Sequence, residues 1–343
     1  MSAEPSAIDA HRPLDVVGIG NALVDVLSYE PAEFLAQRSL IPGSMSLVDT
    51  ARAEELYAAM GPGREVSGGS AANSMVGISS FGGASAFIGR VADDQLGAVF
   101  GHDIRAAGVQ FTAPAPIPPS NGGEPTGRCL IVVTPDAQRT MSTFLGASSR
   151  LAPEDLDHAL VARAQVLFLE GYLWDEAAAK EAYRAAAQSA HDAGRRVAFS
   201  LSDGFCVDRH RKEFLELVEH EVDVLFANEA EITSLYEVDD FDDALQRVQH
   251  HCEIACLTRS EKGSVIVARD EIHVIDAHPA RSVVDTTGAG DLYAAGFLYG
   301  LTHGYDLGTA GRLGALAAAE VIGHLGARPE VSLRELAAPL LRD

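Results

Sequence analysis

The sequence is short of positive charge, of paired cysteines and of long apolar runs. Lysine and arginine total 26 against 49 aspartates and glutamates, a formal charge of −23 with a pI near 4.8. No nucleic-acid partner is expected, because holding a phosphate backbone takes a basic surface. A small anion is still compatible, since backbone dipoles can hold phosphate inside an acidic protein. The four cysteines, Cys129, Cys206, Cys252 and Cys256, contain no CxxC pair and read as reduced thiols rather than a disulfide framework. Cys252 and Cys256 stand close together in "CEIAC", but no His or Cys at finger spacing completes a zinc set. No run approaches the roughly 20 apolar residues of a membrane span. The opening "MSAEPSAIDAHRP" lacks the apolar region of a signal peptide. A cytoplasmic protein without a membrane partner is expected, as a monomer or homodimer.

What is present is a rhythm. Apolar runs of strand length recur at 14–20, 84–91, 164–171, 196–202, 222–228, 254–260 and 263–269, with helical stretches such as "DEAAAKEAYRAAAQSAHDAG" between them. Their hydrophobicity is continuous rather than alternating, so the strands are expected to be buried on both faces of a mainly parallel sheet covered by helices. At 343 residues the chain has room for such an α/β core and a smaller attachment. Two stretches break the rhythm. Residues 26–50 show little clear helix, and 109–146 pass through a loop with five prolines and two glycines into short strands. We expect a core of 12–25, 51–108 and 147–343, with 26–50 and 109–146 forming a small β-sheet lid.

Chemistry is concentrated where strands give way to helices. In "DTTGAGD" (285–291), Gly288 and Gly290 leave room for consecutive N–H groups to converge on one oxygen, and the helix start adds positive partial charge. A carboxylate there, Asp291, suits phosphoryl transfer: the converging N–H groups steady the transferring group while Asp291 takes the proton of an attacking hydroxyl. The alternative is an N-capping aspartate on an ordinary helix. In "VSGGSAANSM", Gly68 and Gly69 permit close backbone approach, and Asn73 offers an amide suited to sugar hydroxyls. A tight turn packed on a strand would look the same. In "VVGIGNALVDVL", Gly18 and Gly20 resemble the start of a dinucleotide fingerprint, but position 23 is leucine, so Asn21 and Asp25 at a strand end are the better ligand candidates. "LFANEAEI" places Asn228 and Glu231 on one helix face, where they either orient the waters of Mg²⁺ or are solvated. Thr258 and Gly263 mark another strand end suited to nucleotide phosphates, and Arg139 in the lid stretch either reaches a phosphate or is a surface arginine.

"GGSAANS", "NEAE" and "DTTGAGD", in this order, resemble the signatures of the PfkB family of sugar and nucleoside kinases, the ribokinase-like family, over about residues 14–328. The resemblance implies a three-layer α/β/α fold with a mainly parallel central sheet and a small β lid, ATP as donor, Mg²⁺ as activator and a primary hydroxyl as acceptor. It implies Asp291 as base and Gly288, Ala289 and Gly290 as anion hole. It implies Asn21, Asp25, Gly69 and Asn73 as the acceptor grip, and Asn228 with Glu231 as organisers of Mg²⁺ and phosphate. It also implies a monovalent cation such as K⁺ near Asp285 and Thr287. "GIGNALVDV" and "PTGRCLIVVTPDAQRTM" look most like the adenosine-kinase branch, with Phe144 and Tyr172 as candidate walls for a purine. The implied reaction is ATP-dependent phosphorylation of a nucleoside 5′-hydroxyl. A kinase for ribose, fructose or a sugar acid, or a non-catalytic nucleoside or sugar sensor, is the alternative.

Overall fold

A computed structural model describes residues 13–135 and 138–341; the N-terminal stretch in which a signal peptide was sought, and the outermost residues of the expected core, lie outside it. Fourteen strands occur among the described residues: β1 Leu14–Ile19, β2 Leu23–Tyr29, β3 Met45–Leu47, β4 Arg64–Ser67, β5 Ser85–Ile88, β6 Gln110–Phe111, β7 Gly127–Val133, β8 Arg139–Phe144, β9 Ala164–Glu170, β10 Arg196–Ser200, β11 Val224–Asn228, β12 Ile254–Thr258, β13 Ser264–Ala268 and β14 Glu271–Ile275. Nine form a sheet in the order β14-β13-β12-β11-β10-β9-β1-β5-β6, and five form a second in the order β3-β8-β7-β2-β4. The large sheet is parallel from β6 to β12 and closes with antiparallel β13 and β14.

Unbroken apolar runs make this sheet because both of its faces are covered. Val17 and Ile19 of β1 join one buried cluster with Leu167, Phe199 and Leu225, while Val16 joins the other with Met75, Phe226 and Phe297. The result is the expected α/β/α sandwich with a mainly parallel sheet. The helix Ala289–Thr302 is buried along most of its length, and glycine lets its neighbours come close: a Cβ at Gly77 would lie 2.6 Å from Ala295 Cβ. Helix Ser70–Phe81 therefore packs directly on helix Ala289–Thr302.

The small sheet draws its strands from the expected lid stretches and from outside them: β4 falls in 51–108, and β6, within 109–146, pairs in the large sheet. A short helix, Ala32–Gln37, also stands where little helix was expected, burying Phe34 and Leu35. Each crossing of the chain between the two sheets is tied down. Buried Glu170, at the end of β9, accepts from Asn21 N (2.7 Å) and Asn21 Nδ2 (2.8 Å) through Oε1 and from Ala71 N (2.7 Å) through Oε2, and Ser148 Oγ donates to Asn21 Oδ1 at 2.9 Å. Those bonds join the β1–β2, β4–helix and post-β8 crossings. The fourth ends at Thr126, whose N and Oγ1 donate to Asp94 at 2.8 and 2.7 Å.

Candidate functional site

The candidate residues gather at the carboxyl ends of the parallel strands, where open α/β sheets bind ligands. The close packing of the two glycine-containing helices brings their first turns together. Ser70 Oγ donates to Asp291 Oδ1 at 2.6 Å, Asn73 Nδ2 donates to Oδ2 at 3.0 Å, and Ser74 Oγ donates to the Asp291 carbonyl at 3.0 Å. The N-cap of helix Ala289–Thr302 is Gly288, in left-handed backbone (φ 80°), so Asp291 is not a capping residue; its carboxylate is held by the other helix. Burial raises its pKa, and the Ser70 and Asn73 hydrogen bonds work against that shift. It is thus a stronger base than a surface aspartate.

Beside this carboxylate the helix start is open. A Cβ at Gly290 would meet nothing within 4 Å, and first-turn amides have no acceptor one turn back. That is room and charge for an anion. Ala289 differs from expectation, since its N–H turns back onto the Thr286 carbonyl at 3.2 Å.

Asp25 lies against Gly68, where a Cβ would come within 2.7 Å of Asp25 Oδ2. Its pKa is pushed up to about 7, chiefly by burial; Arg328 opposes this, Asp291 and Asp285 add to it, and Arg139 opposes it. Asp25, Asn73 and Asp291 therefore share one electrostatic site. Asn21 stands below it, 2% exposed and bonded to Glu170 and Ser148, so its amide serves the protein frame. Tyr172 donates to the Ser202 carbonyl at 3.1 Å, and Phe144 is buried.

The cation expected at Asp285 and Thr287 meets a guanidinium instead. Arg139, on β8 of the small sheet, pairs with Asp285 Oδ2 at 2.5 Å and donates to Thr287 Oγ1 at 3.2 Å. Asp285 also accepts from Thr287 N and Oγ1 and from Gly326 N, so its oxygens are engaged and the local charge opposes a second cation. The residues present do not fit a monovalent cation there.

Asn228, Glu231 and Thr258 lie at the ends of β11 and β12, three and four strands from β1. Asn228 and Glu231 form a capping box: Asn228 N and Nδ2 donate to Glu231 at 2.9 and 2.5 Å, and Glu231 N donates to Asn228 Oδ1 at 2.9 Å. Glu231 is buried rather than solvated, its pKa raised to about 7 by burial. Both of its oxygens accept from Asn228, which is compatible with orienting the waters of Mg²⁺ rather than binding the ion directly; among the described residues no group of three or more His, Cys, Asp or Glu could hold a metal ion. Thr258 pairs with Ser264, and Gly263 closes the β12–β13 turn where a Cβ would come within 2.0 Å of the Ile275 carbonyl oxygen.

Four further residues had not been singled out: Ser70, inside the "GGSAANS" motif, and Ser148, Glu170 and Arg328 outside the motifs. Glu170, a lone acid ending an apolar strand, was the most detectable. Its pKa is raised to about 7 by burial, against the three N–H donors. Replacing it by glutamine keeps the shape but sets an amide NH₂ against an N–H donor. Glu170→Gln is expected to lower unfolding free energy by about 1–3 kcal/mol, read as a lower urea midpoint; an unchanged midpoint would show that these bonds are not needed.

The pfkB family carbohydrate kinase model matches residues 44–333. The chain is 49% identical to the crystal structure of adenosine kinase from Sinorhizobium meliloti, at TM-score 0.89 over 96% of this chain and 100% of that one. It is 48% identical to a probable sugar kinase from Rhizobium etli CFN 42, also at TM-score 0.89, over 96% and 98%. A curated relative, 5-dehydro-2-deoxygluconokinase of Geobacillus thermodenitrificans, is 28% identical over 74% of this chain and 78% of its own length. Among the described residues no helix is long and apolar enough to cross a membrane. With the family model spanning most of the chain and the fold agreeing, the protein belongs to the pfkB family of carbohydrate kinases, phosphotransferases that act on an alcohol group.

Proposed function

We propose that the protein transfers the γ-phosphoryl group of MgATP to the 5′-hydroxyl of a nucleoside, adenosine first among them. The observation that carries this reading is the Asp291 carboxylate, held by Ser70 and Asn73 beside an open helix start and electrostatically coupled to Asp25. Asp25 accepts the acceptor's ribose hydroxyls and Asn73 orients the site. Asp291 takes the proton of the 5′-hydroxyl, whose oxygen bonds to the γ-phosphorus as the bond to the ADP oxygen breaks. The amides at Gly288 and Gly290 stabilise the charge on the transferring group. The small sheet is the lid, brought to the site by Arg139, and it keeps water from competing with the hydroxyl. Adenosine is favoured by the likeness to the Sinorhizobium meliloti enzyme over nearly the whole chain. A sugar or sugar-acid kinase is the second reading, favoured by the likeness to 5-dehydro-2-deoxygluconokinase and by the Arg328 guanidinium beside Asp25.

The test is ADP release from MgATP with a panel of nucleosides, sugars and sugar acids. Adenosine should give the highest kcat/KM; a free sugar or sugar acid ahead of every nucleoside would overturn the nucleoside assignment. A pH dependence follows from Asp25. Its carboxylate must be ionised to accept two hydroxyls, and its pKa is about 7, so kcat/KM for the acceptor should fall as pH drops through 7. The slope is at most roughly tenfold per pH unit. Asp25→Asn should remove that limb at a lower plateau; a limb that survives the substitution belongs to another group.

A further inference from the structure

Arg328 is the charged group of this cleft that no sequence motif announced. The loop carrying it is fastened to the glycine turn. Gly326 N–H donates to Asp285 Oδ2 at 3.0 Å, and Ala327 fills the space in front of Gly288, where a Cβ would lie 2.7 Å from it. From that loop Arg328 Nε donates to Asn73 Oδ1 at 3.2 Å, while Asn73 Nδ2 donates to Asp291 Oδ2 at 3.0 Å.

A primary amide carries its acceptor and its donors on different sides. Turned over, the Asn73 amide would set its NH₂ against the Arg328 N–H and its oxygen against the Asp291 carboxylate. Two attractive contacts would become two repulsive ones. The Arg328 donor and the Asp291 carboxylate therefore hold Asn73 in the same orientation, each adding to the other. Burial lowers the Arg328 pKa to about 10, opposed by Asp103 and Asp25, so the guanidinium keeps its charge at neutral pH. Its Nη2 is buried without a hydrogen-bond partner among the described residues, a costly placement for a residue that only fills space.

We propose that Arg328 is a positioning residue for phosphoryl transfer, locking the Asn73 amide so that its NH₂ holds the Asp291 carboxylate in place. The catalytic part of this inference rests on Asp291 acting as the base; the locking itself does not. The test is a double-mutant cycle of Arg328→Met and Asn73→Ala. Each single variant should lower kcat about ten- to a hundredfold, with acceptor KM within about threefold of wild type. Because one residue acts through the other, the double variant should be no more than about threefold slower than the worse single. Losses that multiply, or an Arg328→Met defect confined to KM, overturn the proposal.

A second readout needs no turnover. The side-chain ¹⁵N–¹H signals of Asn73, assigned by their loss in Asn73→Ala, should move in Arg328→Met. Signals that stay in place overturn the lock whatever the kinetics show. Should wild type release no ADP with any acceptor, the kinase reading fails while this readout still decides the lock. If Arg328→Met does not fold, Arg328→Leu, which also removes the donor, is read in the same way.

Discussion

Asp291→Asn should lower kcat by roughly 10²–10⁴-fold with substrate affinities largely kept. An asparagine has the right shape and can still accept from Ser70 through its oxygen, so the pocket should stay intact. It cannot take a proton from a hydroxyl at neutral pH. With its oxygen turned to the Asn73 NH₂ instead, its own NH₂ meets the Ser70 hydroxyl, which can accept, so both contacts are kept. Turnover is read as acceptor-dependent ADP release. A rate within about threefold of wild type would remove Asp291 from the proton transfer.

Gly69→Ala should be the most damaging of the glycine substitutions around the cleft. Gly69 caps helix Ser70–Phe81 at φ 93°, a backbone conformation closed to most L side chains, and its Cβ would come within 2.1 Å of the Asn21 carbonyl oxygen. Backbone strain and backbone collision act together, since neither partner is the free end of a flexible chain. A loss of about 3 kcal/mol in unfolding free energy is expected. kcat should fall too, because the helix start carries both Ser70 and Asn73. Gly194→Ala is the control: its φ is also positive, at 68°, but a Cβ there meets nothing within 4 Å. It should lose only about 1–2 kcal/mol. Equal losses at the two sites would show that the approach to Asn21 is unimportant.

The large sheet was readable because a strand buried on both faces leaves a continuous apolar run. The two glycine turns were readable because room for an anion demands small residues next to a polar side chain. Partners were not readable. Asp291 meets Ser70 and Asn73 across separations of 221 and 218 residues, and nothing local marks Ser70 as different from other serines. Polarity at a strand end shows that a side chain has work to do without showing for whom. Asn21 was expected to grip the acceptor and instead holds Glu170; Asp285 was expected beside a cation and instead holds Arg139. Of the two readings of Glu231, Mg²⁺ organiser or solvated helix residue, the second fails, since it closes a buried capping box. Helix Ala32–Gln37 escaped notice because it is only six residues long and has no side-chain cap.

The Glu170 knot has a mechanical corollary. Of the four stretches of chain joining the two sheets, two are stitched together at the Glu170 carboxylate, a third is tied to them through Ser148 and Asn21, and the fourth is riveted at Asp94. A door on a free hinge needs slack at its root, and there is none here. The small sheet is built as a cantilever: stiff at the base, with any give lying along β2, β7 and β8 away from that base.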